Sequence, residues 1–329
     1  MSGAGGRPDP ATRAELVKLA RALSTTTDGV AFAAALPHQD IRRVRERVVA
    51  TLYDEHRAAF QRVAAITRVL PTAVNVRIAL RAFPPLLAAR VAGEMTPDRA
   101  AELADRMPVE YLAEACVHLD PRRAGPLVRR VRPDRVLAVV VELVDRGEFI
   151  TLGRMLDAAT ETVVRDVAAT VSTEALLRIG FYAESDTQLT HAVMLLPPSR
   201  LRDVVRDALT GPPELASAGL ALIGRLTDDD LRGRLADHAT DAGTTALTAL
   251  LHRALEDDTV PALLTAVAAM NEDGKRHVLR LPALSSPDVT DALLLAVERH
   301  DLWHVMARLT PHLPDELRQR VTTVERRHD

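Results

Sequence analysis

The chain has 329 residues, of which 47% are hydrophobic and 3% aromatic, with 42 Lys and Arg against 45 Asp and Glu. A net charge of -3 lacks the basic excess of a general nucleic-acid coat, so no nucleic-acid partner is expected. The single cysteine, Cys116, excludes an internal disulfide and a thiolate metal cluster. Abundant Ala, Leu, Val and Arg favour packed helices over a sheet, so we predict an all-α fold.

The first ten residues, MSGAGGRPDP, are rich in Gly and Pro and contain no apolar core of a signal peptide. We therefore predict a flexible arm over residues 1–10. No segment approaches the roughly eighteen uninterrupted apolar residues of a membrane span. The expectation is a cytoplasmic protein without a transmembrane segment.

Residues 11–94 are predicted to form helices that cap the repeats following them. The longest is expected to run from about His38 to Pro71, with apolar positions at helical spacing and a face of mixed charge. A Pro84-Pro85 pair then divides an apolar, arginine-containing segment into two short helices. The alternative for that segment is an amphipathic helix on a membrane surface, because Arg can extend from an apolar face into water.

An apolar position recurs every twelve residues from Met95 to Met155, at Met95, Met107, Leu119, Val131, Leu143 and Met155. Proline is the third residue in three of the five repeats, which suits the first turn of a helix. Apolar or small residues at repeat positions six, nine and ten form one stripe. A helix of about nine residues is unstable alone and must bury that stripe against neighbouring repeats. The pattern predicts a right-handed α-solenoid over residues 95–155.

A looser repeat follows, with leucines that open comparable segments at Leu196, Leu226, Leu255, Leu281 and Leu309. Their spacing of 26 to 30 residues predicts one helical hairpin per repeat over residues 196–320. We therefore divide the array into short-helix repeats at 95–209 and hairpin repeats at 210–325.

The string MTPDRAAELADRMPVEYLAEACVHLDPRRAGPLVRRVRPDRVLAVVVEL resembles the intracellular N-terminal superhelical domain of MgtE magnesium transporters. It also resembles the related helical repeats of the flagellar motor-switch protein FliG. Both families join short helices at a step of the kind seen in LDPRRAGPLV. The resemblance covers residues 95–209 and implies an armadillo-like superhelix that serves regulation or assembly. It extends neither to a transporter part nor to a nucleotide-binding CBS pair, and no magnesium ligand of that family matches a residue here.

Equivalent positions of a regular superhelix align, so arginines at repeat positions four, five and twelve should form a row. We call these residues the arginine rim: Arg99, Arg122, Arg123, Arg130 and Arg135. Such a row can bind an acidic peptide or a phosphate. It can also be ordinary solubilising charge. Our first hypothesis is a non-enzymatic scaffold or regulatory protein that binds a protein partner through its concave face or this rim.

A second hypothesis is an enzyme or small-ligand-binding protein with a pocket near residues 178–206. Polar residues gather there around a glycine between apolar helices: Arg178, Tyr182, Glu184, Asp186 and His191. An acid, a base and a nucleophile can in principle be drawn from this set. No spacing matches a catalytic motif, and nucleotide, acyl-transfer and redox motifs do not occur in the sequence. A helical-repeat nucleic-acid-binding protein is a third, weaker alternative.

The acidic runs at 228–230 and 256–258 lie where helices are expected to start, so we interpret them as helix caps. Adjacent residues of a helix point about 100° apart, so such a run cannot direct three carboxylates at one cation. His300 and His304 are four residues apart and could share a helix face, but no third ligand accompanies them. The sequence therefore predicts no metal site and no cofactor.

Overall fold

The computed structural model describes residues 8–325, apart from the side chains of Glu316, Val324 and Glu325. Most of the predicted arm, residues 1–7, lies outside this range, and the first helix already begins at Pro10. The described residues form 22 α-helices joined by short turns and 3-10 segments, without a β-strand. The all-α prediction is confirmed. No helix in this part of the chain is both long and apolar enough to cross a membrane.

The described residues divide into two compact units, with the division between Arg13 and Ala14 inside the first helix. The amino-terminal unit, residues 14–195, contains most of α1 and the next twelve helices. These are α1 Pro10–Ala22, α2 His38–Asp54, α3 Arg57–Ile66, α4 Thr72–Ala82, α5 Pro85–Ala92, α6 Pro97–Ala104, α7 Val109–His118, α8 Pro121–Val128, α9 Pro133–Asp145, α10 Phe149–Met155, α11 Glu161–Thr170, α12 Thr173–Phe181 and α13 Asp186–Met194.

The carboxy-terminal unit contains residues 196–325 together with the chain up to Arg13. Its helices are α14 Pro198–Thr210, α15 Pro213–Arg225, α16 Asp229–Ala239, α17 Gly243–Glu256, α18 Val260–Ala269, α19 Glu272–Val278, α20 Pro287–Arg299, α21 Trp303–Leu309 and α22 Asp315–Glu325. Helices α16 and α18 pack together, and a methyl group on Gly233 would lie 2.1 Å from the Ala269 carbonyl oxygen. Only glycine therefore permits this approach of the two backbones.

The twelve-residue repeats each form one short helix, as the sequence predicts. Proline begins α6, α8 and α9, where its missing N–H costs no intrahelical bond. Each helix packs most extensively against the helix two positions away: α4 on α6, α5 on α7, α6 on α8 and α7 on α9. The buried side chains are the small and apolar ones, including Ala100, Ala124 and Val139. The apolar stripes are thus buried between alternate helices.

The fifth residue of four successive repeats donates hydrogen bonds to backbone carbonyls about thirty residues earlier in the chain. Arg99 donates to the carbonyls of Thr67 and Leu70, each at 2.7 Å. The Tyr111 hydroxyl donates to the Phe83 carbonyl at 2.9 Å. We call the set the position-five donors: Arg99, Tyr111, Arg123, which bonds the Gly93 carbonyl, and Arg135, which bonds the Met107 carbonyl. They satisfy oxygens that the ends of short helices leave without intrahelical partners.

The long helix predicted from about His38 to Pro71 is two helices, α2 and α3, so that prediction is wrong. The rings of Tyr53 and Phe60, on either side of the break, lie 6.5 Å apart. The buried Tyr53 ring also contacts the guanidinium of Arg90 at 4.7 Å. Tyr53 therefore makes tertiary contacts where the helix breaks, although the sequence there contains no glycine or proline.

We predict that Arg99→Ala lowers the free energy of unfolding by about 2–3 kcal/mol, because it leaves the Thr67 and Leu70 carbonyls without a charged donor. Urea denaturation measures the change. The control is Arg106→Ala, which removes an exposed arginine of the same repeat and should change stability by less than about 0.5 kcal/mol. Equal effects of the two substitutions would show that the carbonyl contacts do not stabilise the fold.

Candidate functional site

Helices α3 to α7 of the amino-terminal unit enclose an apolar groove of about 290 Å³. Val63 and Ile66 of α3 and Ile78 of α4 line one side. Tyr111 and Cys116 of α7 also line the groove. Alanines from α4 to α7 form much of the rest of its wall. Small alanine side chains leave this space open where larger ones would close it.

The polar side chains of the groove are engaged with the protein itself. The Asn75 amide donates to the carbonyls of Thr67 and Leu70 at 2.9 and 3.0 Å. The Thr67 hydroxyl donates to the Ala64 carbonyl at 2.7 Å, and the Tyr111 hydroxyl is a position-five donor. The lining therefore presents hydrocarbon to an occupant, and few polar groups remain to hold a polar ligand.

Several exposed large apolar side chains lie on the helices that form this groove. Six of the thirteen found among the described residues lie between positions 66 and 86, in α3, α4, α5 and the turn between α3 and α4. Ile66 and Ile78, which line the groove, are 58% and 40% exposed, and Val69 in the turn between α3 and α4 is 84% exposed. These side chains leave an apolar area of the protein surface in contact with water.

Cys116, the only cysteine of the chain, lies in the groove wall. Burial of its thiol raises the pKa to about 11, because a low-dielectric surrounding disfavours the thiolate. It is therefore a poor nucleophile at neutral pH and serves instead as a natural reporter of access to the groove.

The arginine rim is largely engaged within the fold. Arg99, Arg123 and Arg135 are position-five donors, and Arg123 also contacts Glu94 and the face of the Tyr53 ring. The other two are more exposed and pair with acids of the same surface: Arg122 lies 2.9 Å from Asp120, and Arg130 lies 3.2 Å from Asp98. A partner-binding role for the rim stays a prediction, and three of its five members have a structural role.

The residues of the predicted pocket near 178–206 have separate partners. Arg178 pairs with Glu174 at 2.8 Å and lies over the Phe149 ring. His191 is half-exposed and contacts Glu161 at 3.3 Å. Tyr182 packs edge-on against Phe181, and burial raises the pKa of its hydroxyl. Asp186 lies in the first turn of α13. Glu184 contacts arginines of other helices. Whether these residues bind a ligand stays a prediction.

Part of that predicted region borders a polar cavity of about 340 Å³ in the carboxy-terminal unit. Arg202, Asp203, Arg206 and His238 line it. Arg206 is already paired with Asp203 at 2.9 Å and with Asp207 at 3.1 Å. Because its main cation is exposed and neutralised, this cavity has weaker features of a binding site than the apolar groove.

Glu184 belongs to a buried ion-pair cluster that the sequence did not indicate. Glu15 and Lys18 of α1 lie 2.9 Å apart, and Arg45 of α2 contacts Glu15 at 3.1 Å. Arg45 also lies 2.9 Å from Glu184, which Arg154 approaches at 3.3 Å. The side chains of Lys18 and Arg45 are each only 2% exposed. The cluster thus joins the first two helices to residues about 140 to 170 positions later in the chain.

Burial and ion pairing act against each other on the pKa values of this cluster. Burial favours a raised pKa for Glu15, but Lys18 and Arg45 outweigh it and hold the pKa below its ordinary value. Burial lowers the pKa of Lys18, and Glu15 opposes that change. Burial and the nearby Glu184 raise the pKa of Asp157. The pairs are closed and mutually compensated, which suits a structural connection better than a catalytic site.

The two features considered for metal binding have other partners. Asp228 accepts a hydrogen bond from the Leu231 N–H at 2.6 Å and caps α16, as predicted. Asp257 and Asp258 instead follow the end of α17, so their prediction as a starting cap is wrong. His300 ends α20 and contacts Asp258, whereas His304 lies in α21, so they do not share a helix face. Residues 8–325 contain no group of three or more His, Cys, Asp or Glu positioned for a metal ion.

Comparison with known proteins gives no match to a family model, to a curated protein or to a solved structure. The groove and the ion-pair cluster must therefore be interpreted from their own chemistry.

We predict that Glu15→Gln destabilises the protein by about 3 kcal/mol at neutral pH, because the buried Lys18 loses its paired carboxylate and Arg45 keeps only Glu184. Since the pKa of Glu15 is lowered on folding, its contribution is complete above the ordinary value of 4.5 and disappears as the pH falls through the folded pKa. The difference between wild type and variant should therefore shrink in acid. Urea denaturation from pH 7 to pH 3 measures it.

The control for this substitution is Glu46→Gln, which removes the exposed carboxylate that pairs with Arg42 within α2. We expect a change below about 1 kcal/mol there. A loss at Glu15 that is equally small, or that stays constant down to pH 3, would contradict the structural role of the cluster.

We also predict that alkylation of Cys116 by iodoacetamide accelerates about tenfold per pH unit up to about pH 11, since only the thiolate reacts and its pKa is about 11. A solvent-exposed cysteine in a short peptide, which levels off near pH 9, is the comparison. Levelling near pH 9 in the folded protein would show that the thiol is not buried in the groove wall.

Proposed function

We propose that the chain is a non-enzymatic helical-repeat protein, of scaffold or regulatory type, that binds a protein partner through the apolar groove of α3 to α7. The observation that carries the proposal is an open groove of about 290 Å³ whose polar side chains are bonded within the protein. An MgtE- or FliG-like superhelix and a cytoplasmic location belong to the same proposal. The groove replaces the arginine rim as the proposed contact surface, because most rim arginines are engaged with backbone carbonyls.

The energetics favour an apolar contact at this place. Burying one Leu-sized side chain contributes about 1.5–3 kcal/mol relative to leaving it in water. A partner that places two or three such side chains between Ile66, Ile78 and the α7 wall gains enough to offset part of the cost of association. An exposed ion pair contributes less, about 0–1 kcal/mol.

A small apolar ligand is the second candidate occupant. Pockets for small ligands usually begin at about 300 Å³, close to the volume of this groove. The exposed side chains at its edge favour the protein partner, because a small ligand inside the groove would leave Val69 and its neighbours in water. The enzyme hypothesis has less support, because the main cation of the polar cavity at 199–206, Arg206, is exposed and already paired with Asp203 and Asp207.

We predict that Ile66→Asp reduces capture of the principal partner at least tenfold in an affinity pull-down from the source-cell lysate, because it places a carboxylate in the apolar wall. Quantitative mass spectrometry compares the captured proteins. Leu295→Asp is the matched control: Leu295 is 55% exposed, as Ile66 is 58%, but it lies in α20 of the other unit. Both variants should unfold at urea concentrations close to that of the wild type.

Three results would oppose the proposal. These are a wild type that enriches no protein above a bead control, retention of the partner by Ile66→Asp, and an equal loss of the partner in both aspartate variants. If Ile66→Asp still captures the partner, the contact lies outside the groove, and the arginine rim becomes the next candidate surface.

A further inference from the structure

The helices that form one side of the groove have an unusual charge distribution. From Arg57 to Gly93 the chain contains six arginines and no aspartate or glutamate. Arg57 contacts Glu94, and Arg90 contacts the Tyr53 ring. The other four are exposed and form no ion pair with the residues that the structure describes: Arg62, Arg68, Arg77 and Arg81. A local excess of positive charge therefore lies within a chain whose net charge is -3.

Helix geometry places these cations beside exposed apolar side chains. Residues four apart share a face, so Arg62 adjoins Ile66 on α3. On α4, Ile78 is followed three residues later by Arg81, which shares a face with Arg77 four residues before it, and all three are exposed. Arg68 precedes the exposed Val69 in the turn between the helices. The edge of the groove thus combines hydrocarbon with unneutralised guanidinium groups.

We propose that the occupant of the groove is an amphipathic α-helix of the partner protein, with an acidic polar face. Its apolar residues, at spacings of three and four, enter the groove, and its carboxylates meet Arg62, Arg77 and Arg81. This inference rests on the proposed function and names the chemistry of the partner. Cations that form no ion pair with the described residues are available for charge-assisted hydrogen bonds across an interface.

A recessed site favours a helix over a membrane surface. An anionic bilayer can contact protruding groups such as Ile66 and Val69, but a planar surface does not enter a groove that extends to Tyr111 and Cys116. A helix about 10 Å across can direct single side chains into it. The same arginines also suit lipid phosphates, so the membrane is tested as a separate outcome.

In the test, the 329-residue chain itself selects its ligands from a peptide library. A display library of random 16-residue peptides is enriched on the wild-type protein, and single peptides are then measured by fluorescence anisotropy. We expect enriched peptides to carry net negative charge and apolar residues at helical spacing. Arg77→Glu with Arg81→Glu should weaken their binding at least tenfold. Arg165→Glu with Arg234→Glu, an equal change of charge on α11 and α16, should leave it nearly unchanged.

Cys116 reports whether the peptides occupy the groove. Bound peptide should slow alkylation of this thiol at least tenfold, since the residue lines the wall. Peptides that bind without protecting Cys116 would overturn the inference. So would enriched peptides without acidic excess, equal losses in both arginine double variants, or a library that yields no specific binder.

Two further results separate this inference from the proposal on which it rests. If Ile66→Asp abolishes partner capture but the peptide selection fails, the protein-binding function stands and the acidic helix is wrong. If acidic peptides bind and protect Cys116 but no lysate protein is captured, the groove chemistry stands and the proposed function fails. A third result would overturn the inference. If the wild type binds no peptide but sediments with phosphatidylserine vesicles, and the Arg77→Glu, Arg81→Glu double variant does not sediment, the arginines bind a membrane.

Discussion

The amino-terminal unit depends on how short helices satisfy their last backbone carbonyls. A helix such as α6 has eight residues, and the final four carbonyl groups of any helix lack intrahelical partners. The position-five donors supply hydrogen bonds to these oxygens from a helix about thirty residues later. In the fifth repeat Gly147 occupies this position with a φ of 71°, a conformation that suits glycine after the end of α9. The twelve-residue period therefore repeats a hydrogen-bond geometry as well as an apolar stripe.

Local signals made the short helices predictable, whereas the partners of each helix required the structure. Proline in the first turn located the starts of α6, α8 and α9, whereas α9 runs to Asp145, beyond the end of its repeat. The break between α2 and α3 was missed because no glycine, proline or capping residue marks it, and the contacts of Tyr53 are tertiary. The cluster of Glu15, Arg45 and Glu184 was missed for a similar reason, since its members are far apart in sequence.

Arginine has three different roles in this chain, and composition alone does not separate them. Arg99 stabilises helix ends, Arg45 is buried between two carboxylates, and Arg77 is exposed without an ion pair to the described residues. The sequence assigned partner binding to the arginines that align along the repeats. Alignment along a repeat also places a side chain beside the same backbone group each time, so a periodic arginine is equally the expected sign of a structural donor. The aperiodic arginines Arg77 and Arg81 of α4 are exposed and form no ion pair with the described residues.

The groove follows from the same use of small residues that lets the helices pack. Alanines such as Ala79, Ala89 and Ala100 allow close packing of alternate helices, and they leave about 290 Å³ unfilled. A closed void of that volume would cost about 7 kcal/mol at about 24 cal/mol per Å³, comparable with the whole stability of a domain. An opening to the surface avoids most of that cost by admitting water, but it leaves apolar walls hydrated. An occupant that displaces this water recovers hydrophobic free energy, and on our proposal the exposed arginines at the edge then determine which occupants bind.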